Sequence, residues 1–136
     1  MRSRRSSLLW IAAIAYGAAI FVLSSQPVPA AGEQALALTG DKVLHLAEYA
    51  GFAFLLALAV RTVPSARVSA RASPIALIAA TLYAASDELH QALVPGRQGD
   101  VSDLAADAVG ALLGAAVLHL WRWWATRASV SGTSPR

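Results

Sequence analysis

Ionisable side chains recur inside otherwise apolar segments of this chain, at spacings that put them on shared faces. Asp41, His45 and Glu48 follow i, i+4 and i+7, so on a helix they form one stripe. Tyr83, Asp87 and Gln91 step by four, with Glu88 and His90 beside them. Asp103, Asp107, Gly110 and Gly114 step by four, three and four. Two kinds of chemistry fit these types. His45, Glu48, Glu88 and His90 include metal-binding donors, and Glu88 can act as general acid or base, so Glu88, His45 and Glu48 are the catalytic candidates. The spacing is no known zinc signature, since His45-x-x-Glu48 is a single pair and His90 points away from the face of Gln91, so no metal or cofactor is assigned. The other chemistry is recognition. Lys42 and Arg97 are the only basic residues among these acids, and they would hold a phosphate or carboxylate, Arg97 with a two-pronged fork.

The elements that must position these groups are read from composition. Of 136 residues, 57% are hydrophobic and 14% charged, against about 25% charged in an ordinary soluble domain. Lipid is the environment that tolerates this balance. A spanning helix needs about 20 apolar residues, so four spans with brief loops account for nearly the whole chain. There is no cysteine, which removes disulfides and thiolate metal sites. The net charge of +3 does not point to nucleic acid, because the arginines sit in short groups at the ends of apolar segments and form no stripe with aromatics.

The expected fold is all-α: a polytopic membrane protein, an antiparallel bundle of four transmembrane helices at about residues 7–25, 41–60, 74–93 and 102–122. Residues 1–127 would form one membrane domain and 128–136 a disordered tail. Residues 8–23 are an unbroken apolar run behind Arg2, Arg4 and Arg5. The rival reading is a cleaved signal peptide, with Val28-Pro29-Ala30 as the cleavage site, but the run exceeds the usual hydrophobic region and retention is expected. Ser3-Arg4-Arg5 faintly resembles a twin-arginine signal, and positive-inside anchoring explains it more simply. Residues 62–73 read as a short basic loop, and Ser73-Pro74 as a capping hydroxyl followed by proline at the first helical position. The apolar stretch 74–85 is too short to span, so that helix must continue through Asp87, Glu88, His90 and Gln91. Residues 95–99 are the strong turn signal of the second half. Ser102 or Asp103 would cap the fourth helix, and Trp123 and Trp124 would form an interfacial belt.

Arg2, Arg4, Arg5, Arg61, Arg67, Arg71, Arg122, Arg127 and Arg136 flank one side of these helices, with only Lys42 and Arg97 on the other. The excess places both termini in the cytoplasm, in a multi-pass protein of the inner membrane. Every acid, Glu33, Asp41, Glu48, Asp87, Glu88, Asp100, Asp103 and Asp107, falls on the opposite side. By helical rise, Glu48, Glu88 and Asp107 each lie roughly 20 Å from the inner end of their helix, at a common depth, with His45, Gln91 and Asp103 in the layer above. Gly110 and Gly114 let a neighbouring backbone come close and turn Asp107 toward the interior.

Plainer roles compete. Asp103 and Asp41 can be helix caps, and His119 a packed or interfacial histidine. Tyr83 and the four tryptophans read as packing or interface residues. Glu48, Glu88 and Asp107 can form a purely structural network with Lys42 and Arg97.

Taken in order, the motifs resemble the VanZ-like family, small four-helix membrane proteins named after an accessory protein of glycopeptide resistance. Ser24-Ser25-Gln26-Pro27 resembles the family's end of helix one, and residues 41–49 its Asp-Lys-x-x-His-x-x-x-Tyr opening. Asp87-Glu88-Leu89-His90-Gln91 resembles its Asp-Glu-x-x-Gln motif, followed by Pro95-Gly96-Arg97, and Asp103, Asp107, Gly110 and Gly114 match its fourth-helix pattern. The likeness covers about residues 21–114. Two departures add charge: Asp100 stands where a small polar residue is common, and Asp107 where many members have asparagine. The resemblance implies an envelope context, a name-giving activity of reduced teicoplanin sensitivity, and a functional face of Lys42, His45, Tyr49, Glu88, Gln91, Arg97 and Asp103.

Three functions are compatible with this reading. The favoured one is a binding protein, not an enzyme, with an outward polar pocket for a lipid-linked envelope ligand or glycolipid, formed by Lys42, His45, Tyr49, Asp87, Glu88, Gln91, Arg97, Asp103 and Asp107. The second is an intramembrane, metal-dependent hydrolase of an envelope lipid. The third is a small proton-coupled transporter, which would require a homo-oligomer joined through Gly110 and Gly114. The expected partners are the bilayer and that ligand, without nucleic acid.

Overall fold

In lipid, with no water to take up backbone N–H and C=O groups, alanine- and leucine-rich stretches satisfy them internally as helices. The computed structural model describes residues 2–27, 40–97 and 99–131, and these are helical with no strand among them. The elements are α1 (Arg2–Ser24), α2 (Asp41–Val60), a short α3 (Ala66–Ala70), α4 (Ala72–Gln91) and α5 (Val101–Ser131). The cleavage motif at 28–30, Glu33, the Asp41 side chain and residues 132–136 lie outside what is described. Three helices are long and apolar enough to cross a membrane, Ser3–Ser24, Lys42–Val60 and Val101–Ala125. α4, with Asp87, Glu88, His90 and Gln91 in its last turns, packs among them.

Several boundaries differ from expectation for local reasons. The basic segment is not a plain loop, because α3 forms within it, with the Ser69 hydroxyl donating to the Arg61 carbonyl at 3.0 Å. α4 then starts at Ala72 rather than at a Ser73 cap, and Pro74 still falls in the first turn, where no N–H is needed. Asp100 precedes α5 and accepts the N–H of Ser102 at 2.7 Å, so it takes the capping role expected of Ser102 or Asp103. α5 runs to Ser131, four residues into the expected disordered tail (128–136), because no glycine or proline falls between Gly114 and Gly132. Arg127 packs over Trp123 one turn earlier, 3.7 Å from the ring centroid.

The helices alternate in direction. Ser6 of α1 shares a 2.7 Å hydrogen bond with Thr62 just beyond α2, whereas Tyr16 stacks on Phe52, so α1 and α2 run antiparallel. α1 and α4 run parallel, since Tyr83 donates to the Gly17 carbonyl at 2.8 Å and Ser24 donates to Asp87 at 2.5 Å. The broadest contact joins α2 to α5, and α4 packs on both. The interior is made mostly of small residues: Ala53, Ala57, Ala76, Ala80, Ala84, Ala111 and Ala115 are buried, joined by the bulkier Ile20, Tyr49, Phe52, Val60 and Leu118. Leu8, Ile11, Ile14, Ile78, Leu82, Leu112 and Val117 stand exposed. Close packing of small residues inside and large apolar ones outside is the pattern of helices associated in lipid.

The two ends carry opposite chemistry. At the end where α1 begins and α2 stops, Arg5, Arg61 and Trp121 line a cavity with Leu9, Phe54 and Leu58. Burial, then the neighbouring guanidiniums of Arg122 and Arg5, hold the Arg61 guanidinium below its ordinary value. The acids lie at the other end.

Candidate functional site

The glycine pair on α5 decides how near that helix comes to α2. A Cβ on Gly110 would strike the carbonyl of Leu46, and one on Gly114 the carbonyl of Ala50. Only glycine permits this approach, and it is what brings Asp107 against α2. There His45 Nδ1 lies 3.0 Å from Asp107 Oδ1, with Asp107 only 1% exposed. His45 is therefore level with Asp107, not in a layer above it. This contact within the chain occupies the glycine face that an oligomer through Gly110 and Gly114 would need.

On α4 the buried alanines Ala72, Ala76, Ala80 and Ala84 step by four, and the next step is Glu88. The stripe that packs α4 tightly thus carries a carboxyl inward. The turn after α4, in which Gly96 takes φ 80, brings the chain back so that the Asp100 N–H donates to Glu88 Oε2 at 2.9 Å. Among the described residues Glu88 Oε1 is buried with no hydrogen-bond partner, and so is the hydroxyl of Tyr49. One donor atom each from His45, Glu88 and Asp107 lie within 4.8 Å of one another.

Beside this cluster is a cavity of about 530 Å³ between α1, α2 and α4, lined on its polar side by Ser24, His45, Glu48, Asp87, Gln91 and Arg97. Ile20, Leu23, Leu44 and Ala47 supply an apolar side, and the last three are exposed at the bundle surface. The buried Asp87 carboxylate is held at both oxygens, by Ser24 Oγ at 2.5 Å and by Gln91 Nε2 at 3.0 Å. Arg97 donates to the Ser24 carbonyl at 3.0 Å. His90 turns toward α1, where it bonds to Ser25 Oγ at 3.0 Å and stacks on Phe21.

Lys42 sits at the rim. It bonds to Ser102 and to Asp103 at 2.9 Å, and lies 3.7 Å from Asp100. The Ser102 backbone N–H, then the Ser102 hydroxyl and Lys42, hold the Asp100 carboxyl below its ordinary value.

The family model VanZ/LLP1 matches residues 4–122. The chain belongs to the VanZ/LLP1 family. With three helices able to cross a bilayer, it is a multi-pass membrane protein. No curated protein and no solved structure matches it.

In this VanZ-like bundle the residues singled out for the site gather toward one end, divided among four settings. His45, Glu88 and Asp107 converge between α2, α4 and α5. Glu48, Asp87, Gln91 and Arg97 face the cavity, while Lys42 and Asp103 pair at the rim. Tyr49 is fully buried among the helices. His119, by contrast, is exposed near the start of α4. Sequence reasoning gave no role to Ser24 or Asp100, each of which supports a buried carboxylate. The signal for Ser24 was a polar residue closing the apolar run of α1, and for Asp100 a carboxylate just ahead of a helix.

Proposed function

We propose that this protein lies in the inner membrane with both termini in the cytoplasm, its four long helices crossing the bilayer, and uses the cavity between α1, α2 and α4 to hold the head group of a lipid-linked or glycolipid envelope component. One observation carries the reading: the cavity has a polar wall of His45, Glu48, Asp87, Gln91 and Arg97 and an apolar wall of Ile20, Leu23, Leu44 and Ala47. A ligand that is polar at one end and greasy at the other matches such a lining. Carboxylates and an amide accept from and donate to sugar hydroxyls, and the guanidinium of Arg97 takes an anionic linker. The exposed surfaces of Leu44 and Ala47 let a lipid tail remain in the bilayer. The orientation rests on the arginines gathered at the opposite end, which the positive-inside bias assigns to the cytoplasm. The cavity then faces the outer leaflet, where holding such a lipid would alter access of a lipophilic glycopeptide to its target.

The test is native mass spectrometry of the protein extracted from its own membrane. Wild type should retain a lipid-linked species beyond bulk phospholipid, and Arg97→Ala and Asp87→Asn variants that still reach the membrane should lose it. A wild type that carries bulk phospholipid alone would refute the reading.

A further inference from the structure

We propose that His45, Glu88 and Asp107 form a binding site for a divalent metal ion of the Zn²⁺ or Mn²⁺ type. Of the donors His45, Glu48, Glu88 and His90 offered by the sequence, Glu48 lines the cavity and His90 is turned to Ser25 and Phe21, and Asp107 takes their place. Three helices each contribute one donor, and the donor atoms lie within 4.8 Å of one another. His45 Nδ1 and Asp107 Oδ1 are 3.0 Å apart. Two ligands bound at about 2.1 Å to one ion stand about 3.0–3.4 Å apart, so this pair already has the spacing of co-ligands, and Glu88 needs a shift of at most about 1.4–1.8 Å to join them. One imidazole with two carboxylates is a mixed nitrogen and oxygen set that suits these ions.

Glu88 supplies the independent reason to place a cation there. It is 8% exposed, and although Oε2 takes the Asp100 N–H, Oε1 is buried with no hydrogen-bond partner among the described residues. A buried carboxylate oxygen without a partner is unfavourable, and an ion bound between Glu88 and Asp107 satisfies it. The basic side chains at this end bond elsewhere: Lys42 to Asp103 and Ser102, and Arg97 to the Ser24 carbonyl. The hydroxyl of the fully buried Tyr49 is a second polar group at this end with no hydrogen-bond partner among the described residues. The Asp100 N–H holds Glu88 as a supporting contact holds a ligand in a built metal site. The ion would tie α2, α4 and α5 together and keep a coordination position open for water or a ligand oxygen.

The site does not depend on the ligand proposed above, and its test contains no lipid ligand. The full chain, purified in detergent through a tag free of histidine and stripped with EDTA, is titrated with Zn²⁺ and with Mn²⁺, and the bound metal is counted by mass spectrometry. The expected result is saturable uptake of one ion per chain. Glu88→Gln, Asp107→Asn and His45→Gln should each weaken it by at least about 100-fold, the upper end for loss of a mere supporting contact. His90→Gln should leave it unchanged. No saturable uptake by the wild type overturns the proposal, as does uptake that survives both carboxylate substitutions. If those variants misfold, the wild type decides alone: its unfolding temperature rises with the metal and falls back with EDTA, and a temperature indifferent to both overturns the site.

Discussion

Replacing Gly110 with alanine adds one methyl group where α2 and α5 meet. That carbon would lie 2.9 Å from the carbonyl carbon of Leu46 and 3.0 Å from its Cα, besides striking the carbonyl oxygen. Carbon atoms rest at about 3.5–4.0 Å, so the two helices must part by roughly 0.5–1 Å. Overpacking costs about 1–3 kcal/mol, and a backbone neighbour that cannot swing aside puts this case at the upper end. Alanine in a helix recovers about 1 kcal/mol relative to glycine. The net loss is about 2 kcal/mol, or roughly 30-fold in the folding equilibrium. In a thermal scan of the detergent-solubilised protein this is a fall of about 5–10 °C. Gly51→Ala is the matched control, because the atoms nearest its new carbon belong to the end of the Tyr16 side chain, the hydroxyl at 2.7 Å, which can rotate away. Its stability should stay within about 0.5 kcal/mol of wild type. If Gly110→Ala proves as stable as Gly51→Ala, the close approach of α2 and α5 is not what positions Asp107.

Other perturbations separate buried from rim contacts. Ser24→Ala removes the 2.5 Å donor from the buried Asp87 and should cost about 1.5–3 kcal/mol in the same scan, whereas restoration by threonine would support the hydroxyl as the cause. Lys42→Ala should cost at most about 1 kcal/mol, since Lys42 is 58% exposed, and added salt should erase the difference. The Asp100 carboxyl is depressed by folding, so its contribution is present above the unfolded carboxylate range and lost as pH falls through the lower folded value. Asp100→Asn should therefore differ from wild type at neutral pH and converge with it in acid, as followed by unfolding temperature against pH. A reporter fused after Ser131 should read as cytoplasmic and one inserted in the 92–97 turn as external. The reverse pattern would invert the proposed orientation.

The helices were legible because lipid removes most alternatives: a long apolar run without water has to be helical. The stripes were legible for the same reason, since a charge inside such a helix has to face its neighbours, and His45, Glu88 and Asp107 do converge. Details set by short-range competition were not. Asp100, rather than Ser102 or Asp103, caps α5, and that choice frees Asp103 to meet Lys42. Helical rise along each helix taken separately places His45 one layer above Asp107, whereas the two side chains meet at 3.0 Å. The relative shift of α2 and α5 is set by Gly110 and Gly114 against Leu46 and Ala50, a contact that no single helix discloses.

The burial of Glu88 follows from the period of its own helix. Ala72, Ala76, Ala80 and Ala84 are the residues on which α4 packs, and one more step of four reaches Glu88. A helix cannot bury that stripe and expose its last member without ending or bending, and α4 continues to Gln91. The carboxyl is thus carried inward by the same repeat that holds the bundle together. The fold answers half of the resulting demand with the Asp100 N–H, and leaves Oε1 without a partner among the described residues, on a carboxyl that lies beside a histidine and an aspartate. A sequence that needed only packing would have continued the alanine ladder, since Glu88→Ala would remove the unsatisfied oxygen at once. Such a variant should fold at least as stably as wild type in the absence of metal. If it is instead less stable there, the carboxyl is a structural strut, and its placement says nothing about what the site binds.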